Sequence, residues 1–363
     1  MKHSSDITII GGGINGLLTA KELMQAGRQV TVLDKSRTGQ ESSWAGGGIL
    51  LPLYPWRQAQ AITDLVKVSL AKYPLLSREL YEATGIDPEW YDCGLLICKN
   101  PDFAQALDWC VKNDIAYQSA DERFFSALHT APEHPLWLPE IAQARNPRLL
   151  KSLKAFLMTA GVRFLENRDI TKIAIQHDRV ASITTTEDAI DTDQLVIATG
   201  AWTGELLAKH FPERQQAVDI QPVKGEMLLF EARPDTLSHM ILDGDQYLIP
   251  RRDGRILAGS TVEQTGFVKE TSAQAKNRLY QFATQLFPAL LDYPVIAHWA
   301  GLRPGTAEGV PYIGRHPQVD NLYINAGHFR NGLVMGPASA TLLADLMLKR
   351  TPPLDPTPYQ INR

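Results

Sequence analysis

Asp6-Ile7-Thr8-Ile9-Ile10-Gly11-Gly12-Gly13-Ile14-Asn15-Gly16, running on to Val30-Thr31-Val32-Leu33-Asp34, is the segment around which the rest of the chain is organised. Ile7 to Ile10 are β-prone and stop at glycines; beyond them Ile14, Leu17, Ala20 and Met24 recur on one helical face. The pattern is strand, tight turn, helix, strand. Gly11-x-Gly13-x-x-Gly16 has the dinucleotide-binding spacing: one glycine for the turn, one for close approach to a pyrophosphate, one for helix-to-strand packing. Free N–H groups and the dipole at the helix N-terminus suit phosphates. Asp34 ends the second strand, where a carboxylate accepts both ribose hydroxyls and disfavours a 2′-phosphate.

The chain has 363 residues, enough for two domains, with apolar and charged fractions (44% and 21%) of an ordinary globular protein. A net charge of −4 without a lysine-rich run gives no footprint for nucleic acid. Arg251, Arg252 and Arg255 bracket Asp253-Gly254 and read as a solvated hairpin tip. Cys93, Cys98 and Cys110 lack metal-ligand spacing, so free thiols in a reducing compartment are expected, with no metal. Asp6, the glycines and Glu22 interrupt any signal-peptide pattern, and no apolar run spans a membrane, so the cytoplasm is the expected address.

After Asp34, Glu41-Ser-Ser-Trp-Ala-Gly-Gly-Gly48 is too glycine-rich for a helix; such density lets backbone pass close to something flat, a flexible surface loop being the alternative. A helical pattern runs from Ala59 to Tyr81, with a break or kink expected at Pro74. Residues 86–145, carrying Trp90, Trp109 and Trp137, read as an irregular insertion. Pro147 opens another helix, three short strands follow near 162–186, and Gln194 to Gly200 is a buried strand ending in Thr199-Gly200. Strand-like runs fill 226–300, with Asp253-Gly254 as a hairpin turn. Trp299 to Gly305 and Asn325 to Gly332 read as loops, and Pro337 as the start of the last helix, stopped by Pro352 and Pro353.

The N-terminal fingerprint, Ser42-Ser-Trp-Ala-Gly-Gly-Gly-Ile-Leu50, Ala198-Thr-Gly-Ala-Trp202, Val223-Lys-Gly-Glu226, Trp299-Ala-Gly-Leu-Arg-Pro-Gly305, Pro311-Tyr-Ile-Gly314 and Gly327-His-Phe-Arg-Asn-Gly332 occur in this order. The set resembles the FAD-dependent D-amino-acid oxidase family, most closely its glycine oxidases of thiamine biosynthesis, over nearly the whole chain. The resemblance implies an α/β chain, α+β overall. A glutathione-reductase-like, Rossmann-type FAD domain (1–85, 146–220, 300–363) is joined to a mixed-sheet substrate domain (86–145, 221–299).

By the same resemblance FAD is held non-covalently, since Ala307 to Arg315 lacks the cysteine that links it in monomeric sarcosine oxidases. Its contacts carry over to Gly11, Gly13, Ile14, Asn15, Gly16, Asp34, Lys35, Ser42, Ser43, Ala45, Gly46, Gly47, Gly48, Thr199, Gly200 and Trp202, and to the run His328, Phe329, Arg330, Asn331, Gly332 and Leu333. The His328 ring itself, like His316, reads as a hydrogen-bonded structural group. The last helix is expected to aim its N-terminus at the flavin C2 carbonyl.

Oxidising an amino acid at Cα by hydride transfer requires the carbon to be held at the flavin, and a guanidinium fork is the planar partner for a substrate carboxylate. Arg303 matches the family's carboxylate-binding arginine, and Tyr247 the tyrosine that also touches the carboxylate. The main-chain carbonyl of Arg330 is placed near the substrate amine. Asp245 stands where some glycine oxidases have histidine, and Ile49 and Val262 where they have methionines; all three are read as pocket-lining.

The expected activity is oxidation of glycine or a similar small amine to an imine, with dioxygen as acceptor and hydrogen peroxide as product. The expected partners are an amino-acid substrate and oxygen, with self-association but neither nucleic acid nor membrane. Competing readings are a dehydrogenase of the same fold serving a quinone or carrier, a tRNA-modification-type flavoprotein and a non-catalytic flavin module.

Overall fold

In a computed structural model, residues 2–120, 122–129, 132–212 and 218–363 are described, the side chains of residues 2, 3 and 123 excepted. The opening stretch forms the strand Lys2–Ile10, the helix Ile14–Gln25 and the fully buried strand Val30–Leu33. Lys2–Ile10 lies inside a sheet ordered Tyr312–Arg315, Leu322–Ala326, Ala189–Ile197, Lys2–Ile10, Val30–Leu33, Arg163–Leu165. All neighbours run parallel except the Tyr312–Arg315 edge. Val30–Leu33 is covered on both faces, so all four residues, Thr31 included, are buried and burial does not alternate along the strand. Arg179–Thr185 and Ile170–Gln176 continue antiparallel from the first half of Ala189–Ile197.

A second, mixed sheet runs Val295–Gly305, Gln221–Phe230, Ile256–Gly259, Gln246–Pro250, Met240–Asp243, Leu95–Ile97, Leu136–Leu138, Gln118–Ser119. The stretch around Arg303, expected as loop, is therefore strand, with Arg303 opposite Val223. The expected hairpin joins Gln246–Pro250 to Ile256–Gly259. Its tip is not simply solvated: Arg251 is buried, whereas Arg255 pairs with Asp253 at the surface.

Two prolines expected to bound or break helices sit inside them. Gln60–Thr84 passes through Pro74 unbroken, and Gly332–Met347 contains Pro337. Propensity is a weak prior, and packing overrides it. Ile62, Leu65, Val66, Tyr73, Leu76 and Leu80 are buried along the first of these helices, and nearly every residue from Val334 to Ala344 along the second. Gly336 lets the last helix approach the first, since a Cβ there would stand 2.8 Å from Leu18 Cδ1. No helix among the described residues is long and apolar enough to cross a membrane.

Candidate cofactor and substrate cleft

A cleft of ≈ 420 Å³ is lined from both sheets. Its floor begins at Gly11, whose φ of +108° suits glycine and whose missing Cβ leaves room for the Ala198 carbonyl. Gly13 is the N-cap of the helix Ile14–Gln25 and offers no side-chain capping bond; Ile14 N is taken by Ser43 Oγ, and the helix N-terminus with its dipole faces the cleft, where an anion is favoured. Gly16 does not line the cleft; a Cβ there would overlap the Gly11 carbonyl oxygen, so its part is helix-to-strand packing rather than cofactor contact.

Asp34 lines the cleft and its carboxylate accepts from Gly12 N at 2.7 Å and Ser36 N at 2.9 Å. Burial pushes its carboxyl above the usual range against those hydrogen bonds. Beside it Lys35 Nζ sits 3.7 Å from the Trp202 ring centroid, a cation–π contact that extends the wall. Thr199 and Gly200 form the turn after the strand Ala189–Ile197, with Thr199 Oγ1 3.0 Å from Thr203 Oγ1.

The glycine stretch is not a flexible surface loop. Ser42–Ala45 makes one helical turn, and neighbouring groups tie down the backbone on either side. Ser43 Oγ accepts from Ile14 N at 3.0 Å, and Ser43 O accepts from Asn146 Nδ2 at 2.7 Å. Trp299 Nε1 donates to Ala45 O at 3.1 Å, Arg251 Nη2 to Gly47 O at 2.7 Å, and Ala144 N to Gly48 O at 2.9 Å. Ser42 Oγ bonds the Leu302 carbonyl on the strand that carries Arg303.

At the end of the cleft lined by the second sheet, Arg303 Nη1 donates to Thr261 O at 3.1 Å and Lys224 O at 3.3 Å, and Nη2 to Ser260 Oγ at 2.8 Å. Its guanidinium lies over Gly225, where a Cβ would overlap it. These acceptors are neutral, and among the described residues no carboxylate pairs with Arg303. Burial pulls its guanidinium down to about 10, with the neighbouring Arg330 adding repulsion against support from Tyr247. A half-buried cation that faces a cleft and has only neutral partners is suited to receive an anion from outside the chain. Tyr247 lines the same end, its hydroxyl 3.5 Å from Met227 Sδ.

Arg330 also lines the cleft, with Nη1 3.9 Å from Asp245 Oδ1. The Asp245 side chain is 81% exposed, and Val262, at 48%, lies away from the cleft. Of the three departures only Ile49 is pocket-lining. His328 is buried between two helices: Asn15 Nδ2 lies 3.2 Å from its Nδ1, and its Nε2 lies 3.0 Å from Ser339 Oγ, which donates to Met335 O. Donation by Asn15 makes Nδ1 the acceptor and Nε2–H the donor. Burial drives the ring's pKa down to about 3, so it is neutral.

The fold thus brings Arg303, Tyr247, Arg330 and the expected cofactor residues other than Gly16 to one cleft. The helix Gly332–Met347 starts at that cleft, ahead of the proline expected to open it. Sequence reasoning missed Asn146, Gln143, Arg251 and Ser260. Of these only Arg251 stands out in the sequence, where its neighbours Arg252 and Arg255 suggest a solvated tip. Gly225 lay in a quoted motif, but its contact with Arg303 requires strand register to be seen.

Residues 6–346 match the family model described as FAD dependent oxidoreductase. The glycine oxidase of Pseudomonas aeruginosa is 42% identical over 361 residues, covering 98% of each chain. A bifunctional protein ThiO/ThiG of Synechocystis is 32% identical, covering 96% of this chain and 52% of that one. The crystal structure of glycine oxidase from Geobacillus kaustophilus superposes with a TM-score of 0.91 at 26% identity, covering 99% of each chain. This chain belongs to the family of FAD dependent oxidoreductases.

Proposed function

We propose that this protein oxidises glycine, or an amine of similar size bearing a carboxylate, to the imine with dioxygen as final acceptor. The observation that carries the reading is Arg303: a half-buried guanidinium in the cleft, set in neutral acceptors and lacking an acidic partner among the described residues. The glycine oxidases this chain resembles supply the choice of amine. In this reading residues 1–85, 146–220 and 300–363 hold the cofactor, and 86–145 and 221–299 cover the substrate.

The residues present fit FAD. Gly11, Gly13 and Gly46 to Gly48 line the cleft with backbone alone, and the first helix begins at the cleft with no side-chain cap from its N-cap glycine. Gly13, Ile14 and Asn15 would hold the diphosphate, Asp34 the ribose, and the 42–48 stretch with Gly332 the ring system. Bound there, FAD supplies a two-electron acceptor for the hydride leaving Cα.

Arg303 binds the substrate carboxylate, and Tyr247 adds a hydroxyl at the same end. Together they orient Cα, which converts the encounter into a positioned, effectively intramolecular transfer. The amine must reach the site neutral, and the Arg303 and Arg330 guanidiniums favour that by repelling an ammonium. His328, neutral and hydrogen-bonded on both sides, takes no proton. The imine product would feed thiazole formation, in keeping with the ThiO/ThiG relative.

The experiment is anaerobic mixing of the yellow protein with glycine, sarcosine, D-alanine and D-proline, then admission of air. Bleaching by glycine and rapid recovery of colour with peroxide release are expected. Colour that returns only with a quinone identifies a dehydrogenase, and colour unchanged by every amine refutes the reading.

A further inference from the structure

The hairpin tip of the second sheet reaches into the cofactor site through a single buried side chain. Arg251 Nη2 donates to Gly47 O at 2.7 Å, and Nη1 donates to Gln143 Oε1 at 2.5 Å. Gln143, itself buried, returns Nε2 to Pro250 O at 2.8 Å, the carbonyl just before Arg251. Arg252 instead binds Asp87, and Arg145 takes up Glu89 and Asp253, so the carboxylates of this corner pair with other cations. A guanidinium taken out of water and given only two neutral oxygens costs stability, so its place here is accounted for by what it does to those oxygens.

We propose that Arg251 is a positioning residue for the cofactor: it holds the Gly47–Gly48 peptide with its carbonyl turned to the second sheet and its N–H turned to the cleft. Gly46, Gly47 and Gly48 have no side chains, so packing cannot choose among the many conformations glycine allows. The choice must come from hydrogen bonds to the backbone. Gly48, at φ +91° and packed against the Ala144 carbonyl, admits only glycine. In a planar trans peptide C=O and N–H point in opposite directions, so fixing Gly47 O on Arg251 fixes Gly48 N–H on the other side. Among the described residues Gly48 N–H meets no acceptor, while Gly47 and Gly48 both line the cleft. That donor is therefore left for a heteroatom of the bound ring system, and the buried positive charge lies behind the same loop.

The inference rests on the family's cofactor and not on the identity of the amine, so loss of glycine oxidation alone does not bear on it. The test uses the full chain stripped of FAD, as Arg251→Met and Arg251→Lys, with FAD affinity followed by fluorescence titration. Flavin absorption and midpoint potential are read on the reloaded proteins, and thermal midpoint on the stripped ones. For Arg251→Met the FAD Kd should rise about tenfold or more, the scale of one lost bond to a charged group. The absorption band should change and the potential move negative. Arg251→Lys, which keeps the charge and can reach one acceptor, should recover the potential and part of the affinity. Unchanged Kd, spectrum and potential with only a lower thermal midpoint would reduce Arg251 to packing and overturn the proposal. Should Arg251→Met not fold, Gln143→Leu removes the acceptor that aims Arg251; a weaker FAD affinity there supports the proposal, and an unaltered one overturns it.

Discussion

The Tyr73 hydroxyl donates to the Leu333 carbonyl at 2.6 Å, the carbonyl that Pro337 leaves without its helical N–H partner. A proline in the last helix is thus tolerated because a side chain from another helix completes the hydrogen bonding.

Tyr73→Phe should therefore leave a buried carbonyl unsatisfied and cost about 1–3 kcal/mol. Because Leu333 also lines the cleft, the loss should be larger for the FAD-loaded protein than for the stripped one. Thermal unfolding of both forms checks it; equal losses would confine the effect to the helix pair.

Arg303→Ala should keep FAD and lose activity on carboxylate-bearing amines by about 2–5 kcal/mol of transition-state stabilisation, the range for deleting one partner of a buried charge pair. Steady-state kinetics with glycine, set beside flavin content, provide the measurement. Lost FAD with ordinary substrate kinetics would remove Arg303 from the carboxylate site.

Gly225→Ala places a methyl where the Arg303 guanidinium now lies. The guanidinium must shift off Ser260, so KM for glycine should rise by about tenfold with flavin content unchanged, a loss of uniform binding. An unchanged KM would mean that the strand, not the arginine, yields.

His328 predicts a specific acid sensitivity. Its folded pKa of about 3 lies below the ordinary 6.5, so above pH 6.5 neither state is protonated and no stability is lost. As pH falls below 6.5 the unfolded chain takes up a proton that the native ring refuses, and stability drops by up to about 1.4 kcal/mol per pH unit until pH approaches 3. Denaturant midpoints of the wild type and His328→Gln between pH 7 and 4 test this; the variant should show the shallower slope.

Sequence alone determined the nucleotide-binding start, because the glycines, the helical face and the acidic strand end obey local rules of period and backbone freedom. It pointed to Arg303 and Tyr247 as well, through motifs whose order resembles a family, and both line the cleft. What surrounds those residues was decided by tertiary structure. Gly225 beneath Arg303 depends on the register of two strands far apart in the chain, and Arg251 is buried only because the hairpin tip folds onto the glycine loop. Pro74 and Pro337 stay helical for the same reason: their local preference is outweighed by partners and packing that no window of neighbouring residues contains.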